Sequence, residues 1–385
     1  MSTIVFVGGD DVDSRIELSN KLMKFGHKIN IIGTAKEDKF VKSGIPYQKY
    51  YFNDGLSFFN DVRTIFELRN ILKRKNRNTI IHAFDTKPAI FLPLAAIGLK
   101  HIKITRTING MGRIFTEKNM QNLFLIYLYK LIQKIIMKKV DFTIFQNDDD
   151  CKYFIENDLF PKNRSKTIKS SGINLRKFNT EVKDEKIKEL ENELKIDKTQ
   201  KTFILISRMV RQKGIFTYLK AAKICKEKGY NYNFLLVGQL DRSVKIEEIE
   251  EYSKYVNYLG RREDIRELLK ISDIFVLPTY YREGVPRVLL EASAMGLGLI
   301  TTNMPGCKDV VVDEYNGKLI KINDENDLSE KMIYMAENEE KLKQYQKNSK
   351  EKVKEFDLDI VVKNYHEVYK KLTQERKKNV ESATI

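Results

Sequence analysis

The sequence predicts an α/β protein of two doubly wound domains. Three observations carry that expectation: 385 residues exceed what one hydrophobic core usually holds, short β-branched runs alternate with helical stretches, and the pattern occurs twice. Strands are predicted first at residues 4–7, 29–32, 79–84, 102–107 and 142–146, with helical periodicity over 14–25, 58–75 and 119–139 between them. A second set follows at 202–207, 233–237, 274–278 and 299–302, with a short element at 318–320 after the Asn316-Gly317 turn. Such alternation builds βαβ units around parallel sheets with helices on both faces. Residues 179–200 are charged, helical in composition and poor in aromatics, which places a boundary near their start. The expected domains are residues 1–175 and 176–355, with a C-terminal helix over 356–385 packing back toward the first. Ligands of doubly wound sheets bind outside the carboxyl ends of the strands, so the two sets of strand-end loops are expected to face each other across a cleft.

Composition narrows the function classes. The three cysteines, Cys151, Cys225 and Cys307, are widely spaced and lack nearby metal-ligand partners, a pattern of a reducing compartment without a zinc site or disulfide framework. The start, MSTIVFVGGDD, lacks a basic leader and reads as a first strand, so no signal peptide is expected. Net charge is +16 and uneven: residues 1–180 carry 31 Lys and Arg against 17 Asp and Glu, residues 181–385 carry 38 against 36. The first half therefore has a net +14 and the second +2, an excess suited to a polyanion, either nucleic acid or an anionic membrane leaflet. No recognised nucleic-acid motif is present, and aromatics are not interleaved with the basic runs, so nucleic acid is not an expected partner.

Residues 122–140 (NLFLIYLYKLIQKIIMKKV) are too interrupted by charge to span a bilayer, but Lys130, Lys134 and Lys138 fall on one helical stripe. Two readings stand: a helix in the membrane interface with lysines reaching the headgroups, or a core helix with one wet face. The expected location is cytoplasmic, peripheral on the inner face of the cell membrane.

Three segments carry chemistry. Residues 281–292, YREGVPRVLLEA, follow a predicted strand; Gly284 allows close backbone approach and Pro286 opens a helix, so free amides and the helix dipole form an anion site. Glu283 stands at its mouth and Glu291 two turns further in. Residues 207–214, SRMVRQKG, set Arg208 and Lys213 at another strand-to-helix turn, where two cations suit the developing charge of a diphosphate leaving group. The Gly8-Gly9 turn of VGGDD follows the first strand but does not satisfy the dinucleotide fingerprint.

Together these residues resemble glycosyltransferase family 4, retaining and metal-independent enzymes of the GT-B fold. The resemblance runs over nearly the whole chain through SRMVRQKGI, FLLVGQ, YLGRREDIRELLKISDIFVLPTYYREGVPRVLLEASAMGLGLITT, PGCKDVV and NGKLI. It implies that Arg208 and Lys213 hold the donor diphosphate, Glu291 the ribose hydroxyls and Glu283 the donor sugar beside the reacting carbon. It further implies that the amides of Gly284 and Val285 support sugar and phosphate, that the backbone near Arg261 reads the base, and that Gly8-Gly9 lets the acceptor approach. The stretch TRTINGMGRIFTEKN (105–119) resembles bacterial enzymes that add N-acetylhexosamine or galactose to polyprenyl diphosphate-linked glycans. That implies a UDP-sugar donor, UDP-GalNAc favoured, a polyprenyl diphosphate-linked acceptor, and no cofactor or metal. Acceptor-side candidates are His82, Asp85, Asn109 and Arg113. One departure stands out: many relatives carry His-x-His where this chain has His82-Ala83-Phe84-Asp85, which leaves His82 as a core histidine or a sugar contact, with Asp85 as the alternative polar group. Rival readings are a galactosyl- or glucosyltransferase of the same family, a nucleotide-sugar epimerase of the same fold, and a catalytically silent membrane scaffold.

Overall fold

A computed structural model describes the backbone of residues 2–53, 55, 57–117, 119–178 and 182–381, and the side chains of all of these except Arg113 and 375–381. The chain divides into two compact units, Met1–Gly172 with Leu358–Ile385, and Ile173–Asp357.

The first unit is built on a parallel sheet of seven strands, β1 (Thr3–Val7), β2 (Lys28–Gly33), β3 (Tyr47–Lys49), β4 (Thr79–Ala83), β5 (Lys103–Ile108), β6 (Phe142–Phe145) and β7 (Ser165–Thr167), in the order β3-β2-β1-β4-β5-β6-β7. Its centre is in register through Ile4 with Ile29 and Ile80, and Phe6 with Ile31 and His82. Side chains alternate between faces, so β1 sends Val5 and Val7 into a core with Ile81, Leu92 and Ile104, and Ile4 and Phe6 into another with Leu18, Leu22 and Ile31. The C-terminal helix Leu358–Glu381 completes the second of these cores with Leu358, Val361, Val362, Tyr365, Val368, Tyr369 and Leu372. A fully buried aliphatic or aromatic side chain adds about 1.5–3 kcal/mol, so this helix is integral to the first unit.

The second unit has six parallel strands, β8 (Thr202–Ile206), β9 (Asn233–Val237), β10 (Asn257–Tyr258), β11 (Ile274–Leu277), β12 (Gly298–Thr302) and β13 (Gly317–Ile320), in the order β10-β9-β8-β11-β12-β13. Phe203 and Leu205 pack on one side with the Ile215–Glu227 and Glu325–Glu337 helices, and Ile204 and Ile206 on the other with the Arg287–Met295 helix. The two parallel-sheet α/β units match the GT-B expectation. Both sheets place β1 or β8, the first strand of each, beside a strand that enters after a crossover, the arrangement that opens a ligand site at the carboxyl ends.

The helix predicted over 119–139 spans Met120–Ile136, capped by the Asn119 carboxamide, which accepts from the Asn122 amide at 2.8 Å. The lysine stripe needs correction. Lys130 turns inward, donating to Asn157 Oδ1 at 2.6 Å and lying 5.2 Å from the Tyr153 ring centroid. The exposed stripe is apolar instead: Met120, Leu123, Phe124, Tyr127, Leu128, Leu131 and Ile135, with exposed Lys134 and Lys138 toward its C-terminal end. Tyr129, Gln133 and Ile136 face the core, so the helix buries one side and leaves a hydrophobic one in solvent. Among the described residues no helix is long and apolar enough to cross a membrane.

His82, the first of the acceptor-side candidates, lies in the core. It is fully buried on β4, Nδ1 hydrogen-bonded to the Tyr369 hydroxyl at 2.7 Å and Nε2 to Thr107 Oγ1 at 2.8 Å, with Phe84 stacked on its ring at 4.3 Å. Burial holds its pKa well below the usual histidine range. Tyr369→Phe strands one ring nitrogen in the core and is expected to cost about 1–3 kcal/mol. Urea unfolding should show a lower midpoint with unchanged slope; an unshifted midpoint would mean that this bond adds nothing to the fold.

Candidate active site

Three loops at the carboxyl ends of β8, β11 and β12 converge in the second unit. After β8 the chain runs through Ser207 and Arg208 into a 3-10 turn, Arg211–Lys213, and then Gly214 opens the Ile215–Glu227 helix. Gly214 has φ +74, and a Cβ there would sit 2.0 Å from the Pro278 carbonyl, so only glycine lets the β8 and β11 loops approach this closely. Two bonds tie them together: Tyr280 N–H donates to Gln212 O at 2.9 Å and Thr279 Oγ1 to the same oxygen at 3.1 Å. From the β12 side the Thr302 hydroxyl donates to Thr279 O, and Gly306 (φ +80) lies so near Gly284 that a Cβ would fall 2.0 Å from its carbonyl.

At this junction Lys213 Nζ meets both carboxylate oxygens of Glu283, each at 2.7 Å, with side chains 15 % and 18 % exposed. The ammonium also lies 6.0 Å from the Tyr281 ring centroid. Beneath the pair Cys307 is buried, its thiol pushed up to about 12 by burial and then by the Glu283 carboxylate, so it is an inert core thiol. Beyond Val285 and Pro286 begins the Arg287–Met295 helix, whose first amides and dipole favour an anion. Glu291, about one turn in, is mostly covered and accepts from Arg287 Nε at 3.0 Å.

The structure thus brings Lys213 into contact with Glu283, and Gly284 and Val285 against Gly306, with Glu291 on the helix that follows. Arg208 is exposed at the start of the β8 loop. Arg261 stands apart: its side chain is 71 % exposed and lies 3.9 Å from Glu263, while the adjoining backbone is fixed by Gly238 N–H donating to Gly260 O at 2.8 Å. Thr279, Gln212 and Gly306 escaped the sequence reading. For Gly306 a signal existed, the Pro-Gly pair just after a strand; the other two act through distant backbone atoms and carry no local mark.

A second polar cluster occupies the corresponding strand ends of the first unit. Gly9 N–H donates to Asp85 Oδ2 at 3.2 Å, Asn109 Nδ2 to Asp85 Oδ1 at 2.9 Å, and the Tyr50 hydroxyl to Gly8 O at 3.1 Å. Gly8, Gly9, Asp85 and Asn109 are therefore one group. The backbone of Arg113 lies in the 3-10 turn Arg113–Phe115, but its side chain falls outside the described residues. Among the described residues no group of three or more His, Cys, Asp or Glu could hold a metal ion.

Comparison with known proteins decides the family. A sequence model described as "Glycosyl transferases group 1" matches residues 186–352. Over 316 residues, 82 % of each chain, this one is 31 % identical to the N,N'-diacetylbacillosaminyl-diphospho-undecaprenol alpha-1,3-N-acetylgalactosaminyltransferase of Campylobacter jejuni. The chain belongs to the group 1 glycosyl transferases. A second relative of this glycosyltransferase is the UDP-Gal:alpha-D-GlcNAc-diphosphoundecaprenol alpha-1,3-galactosyltransferase of Escherichia coli, 27 % identical over 70 % of this chain and 69 % of that one. Its fold is shared with WaaG, a glycosyltransferase involved in lipopolysaccharide biosynthesis (TM-score 0.74, 15 % identity, 95 % and 99 % of the chains). It is shared too with Anabaena Alr3699/HepE in complex with UDP and glucose (TM-score 0.77, 14 % identity, 96 % and 100 %).

Gly306→Ala should displace the 284–285 backbone and destabilise the second unit by about 1–3 kcal/mol through strain at a positive φ, with a further cost from the clash. Thermal melting with and without UDP checks it: a lower melting point and a smaller UDP-induced rise are expected.

Proposed function

We propose that this glycosyltransferase moves N-acetylgalactosamine from UDP-GalNAc, with retention, onto a polyprenyl diphosphate-linked saccharide in surface polysaccharide or glycoprotein glycan assembly. The Lys213–Glu283 pair at three converging strand-end loops carries the chemical part of this reading. Lys213 and Arg208 take the donor diphosphate, aided by the first amides of the Arg287–Met295 helix, and neutralise the charge that develops as the sugar–phosphate bond breaks. Glu283, released from Lys213 by the incoming anion, lies beside the reacting carbon, and Glu291 receives the ribose hydroxyls. The acceptor hydroxyl forms the new glycosidic bond on the face that the diphosphate leaves, and its proton passes to the departing phosphate oxygen. The protein's contribution is then positioning and charge neutralisation, which fits cations and helix amides better than a dedicated base. The choice of N-acetylgalactosamine rests on the Campylobacter relative, whose name specifies that sugar on a diphospho-undecaprenol acceptor. The Escherichia coli relative, named for UDP-Gal, supports galactose as the second reading.

The first unit is the acceptor side and sits on the inner leaflet. Two features support this: the positive excess of residues 1–180, and the solvent-facing stripe Met120, Leu123, Phe124, Tyr127, Leu128, Leu131 and Ile135. Exposed apolar stripes of this kind enter the headgroup boundary, and each basic residue near an anionic surface adds about 1 kcal/mol.

Two measurements test these readings. Purified protein given each UDP-sugar and a short polyprenyl diphosphate-linked acceptor should transfer N-acetylgalactosamine with an α linkage. Arg208→Ala or Lys213→Ala should reduce that turnover about ten-fold or more, since a charge-assisted bond contributes roughly 1.5–3 kcal/mol. Transfer only from a GDP- or ADP-sugar would end the donor assignment, and a β-linked product would end retention. Separately, the full chain should sediment with vesicles containing anionic lipid, less so in high salt, and Phe124→Glu with Leu131→Glu should weaken this about ten-fold while leaving UDP binding intact. Undiminished sedimentation of that double variant would remove the stripe from the membrane surface.

A further inference from the structure

Among the polar groups at the strand ends of the first unit, Asp85 stands out by leaving its own helix uncapped. It occupies the N-cap position of the Thr86–Ala95 helix, where an aspartate ordinarily accepts from the first free amides, yet its side chain makes no capping bond. Its backbone, at φ 69 and ψ 160, lies in a region that residues with a Cβ rarely enter. Such conformations persist only where surroundings enforce them, and they concentrate at functional positions. Both sacrifices turn the carboxylate away from its helix and toward the turn after β1. There Oδ2 accepts from Gly9 N–H at 3.2 Å and Oδ1 from Asn109 Nδ2 at 2.9 Å. The neighbour is shaped to admit it: a Cβ on Gly8 would fall 3.3 Å from Asp85 Oδ2 and 2.9 Å from Val12 Cγ2.

We propose that Asp85 is a positioning residue for transfer, whose ionised carboxylate locks the Gly8-Gly9 turn and the Asn109 carboxamide into the single arrangement that receives the acceptor. This rests on the reading that the first unit is the acceptor side. As a carboxylate it is an acceptor only and takes both bonds at charge-assisted strength; protonation removes that charge and turns one oxygen toward Asp11 as a donor, which weakens its hold on the two partners. The charged and titratable groups that bear on it are Asp11 from the segment after β1, Arg15 from the turn that follows, and the Tyr50 hydroxyl. Lys87, on its own helix, is engaged elsewhere by Asp61 at 2.6 Å and by the carbonyls of Asn53 and Gly55. Burial, and then the Asp11 carboxylate, raise the Asp85 pKa to about 6 against the pull of Arg15. The lock therefore loosens just below neutrality.

The test is steady-state transfer from the UDP-sugar to a polyprenyl diphosphate-linked acceptor across pH 5 to 8.5, for wild type and Asp85→Asn. Wild-type kcat/KM for the acceptor should fall on one ionisation near pH 6. Asp85→Asn should be reduced about ten-fold at pH 7.5, without that inflection, while Asp85→Glu regains part of the activity. UDP binding by thermal shift should be unchanged in Asp85→Asn, and its melting point at pH 8 no lower than wild type, because a buried charge has been removed. A merely structural role would instead lower melting point and activity together, and that result, or a wild-type pH profile in Asp85→Asn, overturns the proposal. A wild type that binds UDP but transfers nothing to this acceptor removes the underlying reading, and the proposal with it.

Discussion

Strands buried on both faces are the constraint on which the rest of this molecule depends. In a parallel sheet covered by helices, both side-chain directions of a strand end in a core, so β1 is apolar at Ile4, Val5, Phe6 and Val7, and β8 at Phe203, Ile204, Leu205 and Ile206. A charge placed along such a strand is desolvated without return. Polar chemistry is therefore displaced to the strand ends, where the chain must turn and its amides are free. Lys213, Glu283 and Asp85 all stand in segments that leave the carboxyl end of a strand. The glycines of these turns follow from the same crowding, since Gly214 and Gly306 are where one strand-end loop passes within a Cβ radius of another.

The exception lies on β4 and β5, where His82, Thr105, Arg106 and Thr107 are all fully buried. Arg106 bonds Thr143 Oγ1 at 3.1 Å through Nε, and Gln133 Oε1 at 2.6 Å and Ala89 O at 3.4 Å through Nη1, between the rings of Phe154 and Phe160. Burial draws its pKa down to about 10, so it remains charged at neutral pH with neutral partners only. Among the described residues its Nη2 and Thr105 Oγ1 find no hydrogen-bond partner. Replacing such a group by an apolar one is often neutral or stabilising, whereas removing only Gln133 would leave the guanidinium more exposed to its desolvation cost. The second unit handles its strand polarity more cheaply: the Thr301 hydroxyl donates to Leu277 O at 2.7 Å, within the sheet itself.

What the sequence made legible was what is local. The central strands are continuous apolar runs, and the glycine turns after β8 and β11 announce themselves, so Lys213 and Glu283 could be named before their contact was visible. Three of the four edge strands left no such trace: β3 is Tyr-Gln-Lys, β7 Ser-Lys-Thr and β10 Asn-Tyr, short and polar because one side of each meets solvent. His82 was ambiguous for a different reason. Its decisive partner, Tyr369, lies 287 residues away, and no local pattern encodes a bond of that separation. Lys130 misled because four-residue spacing identifies a stripe but not which way each side chain on it faces, whereas Lys134 and Lys138 are exposed. The facing was set by Tyr129, Gln133 and Ile136, which pack inward and bring Lys130 round to Asn157.

Acid acts on the first unit through two groups of opposite sign. His27 shares hydrogen bonds with Ser2 Oγ at 2.8 Å and His366 Nδ1 at 2.9 Å, and burial, then His366, lower its pKa to about 4. An unfolded histidine takes its proton near 6.5, so the stability His27 adds is complete above that pH and is lost as pH falls toward 4. Asp85 runs the other way. Its folded pKa of about 6 lies above the unfolded value of 3.8, so its ionised form penalises the fold above 6 and the penalty lifts as pH falls. Between about 4 and 6 the two slopes oppose each other, and net stability changes less than either group alone would impose. A carboxylate held ionised at neutral pH against its burial spends stability that protonation would return. That expense is intelligible when the charge is needed at the Gly8-Gly9 turn, and it would be an odd feature for selection to keep at a purely structural cap.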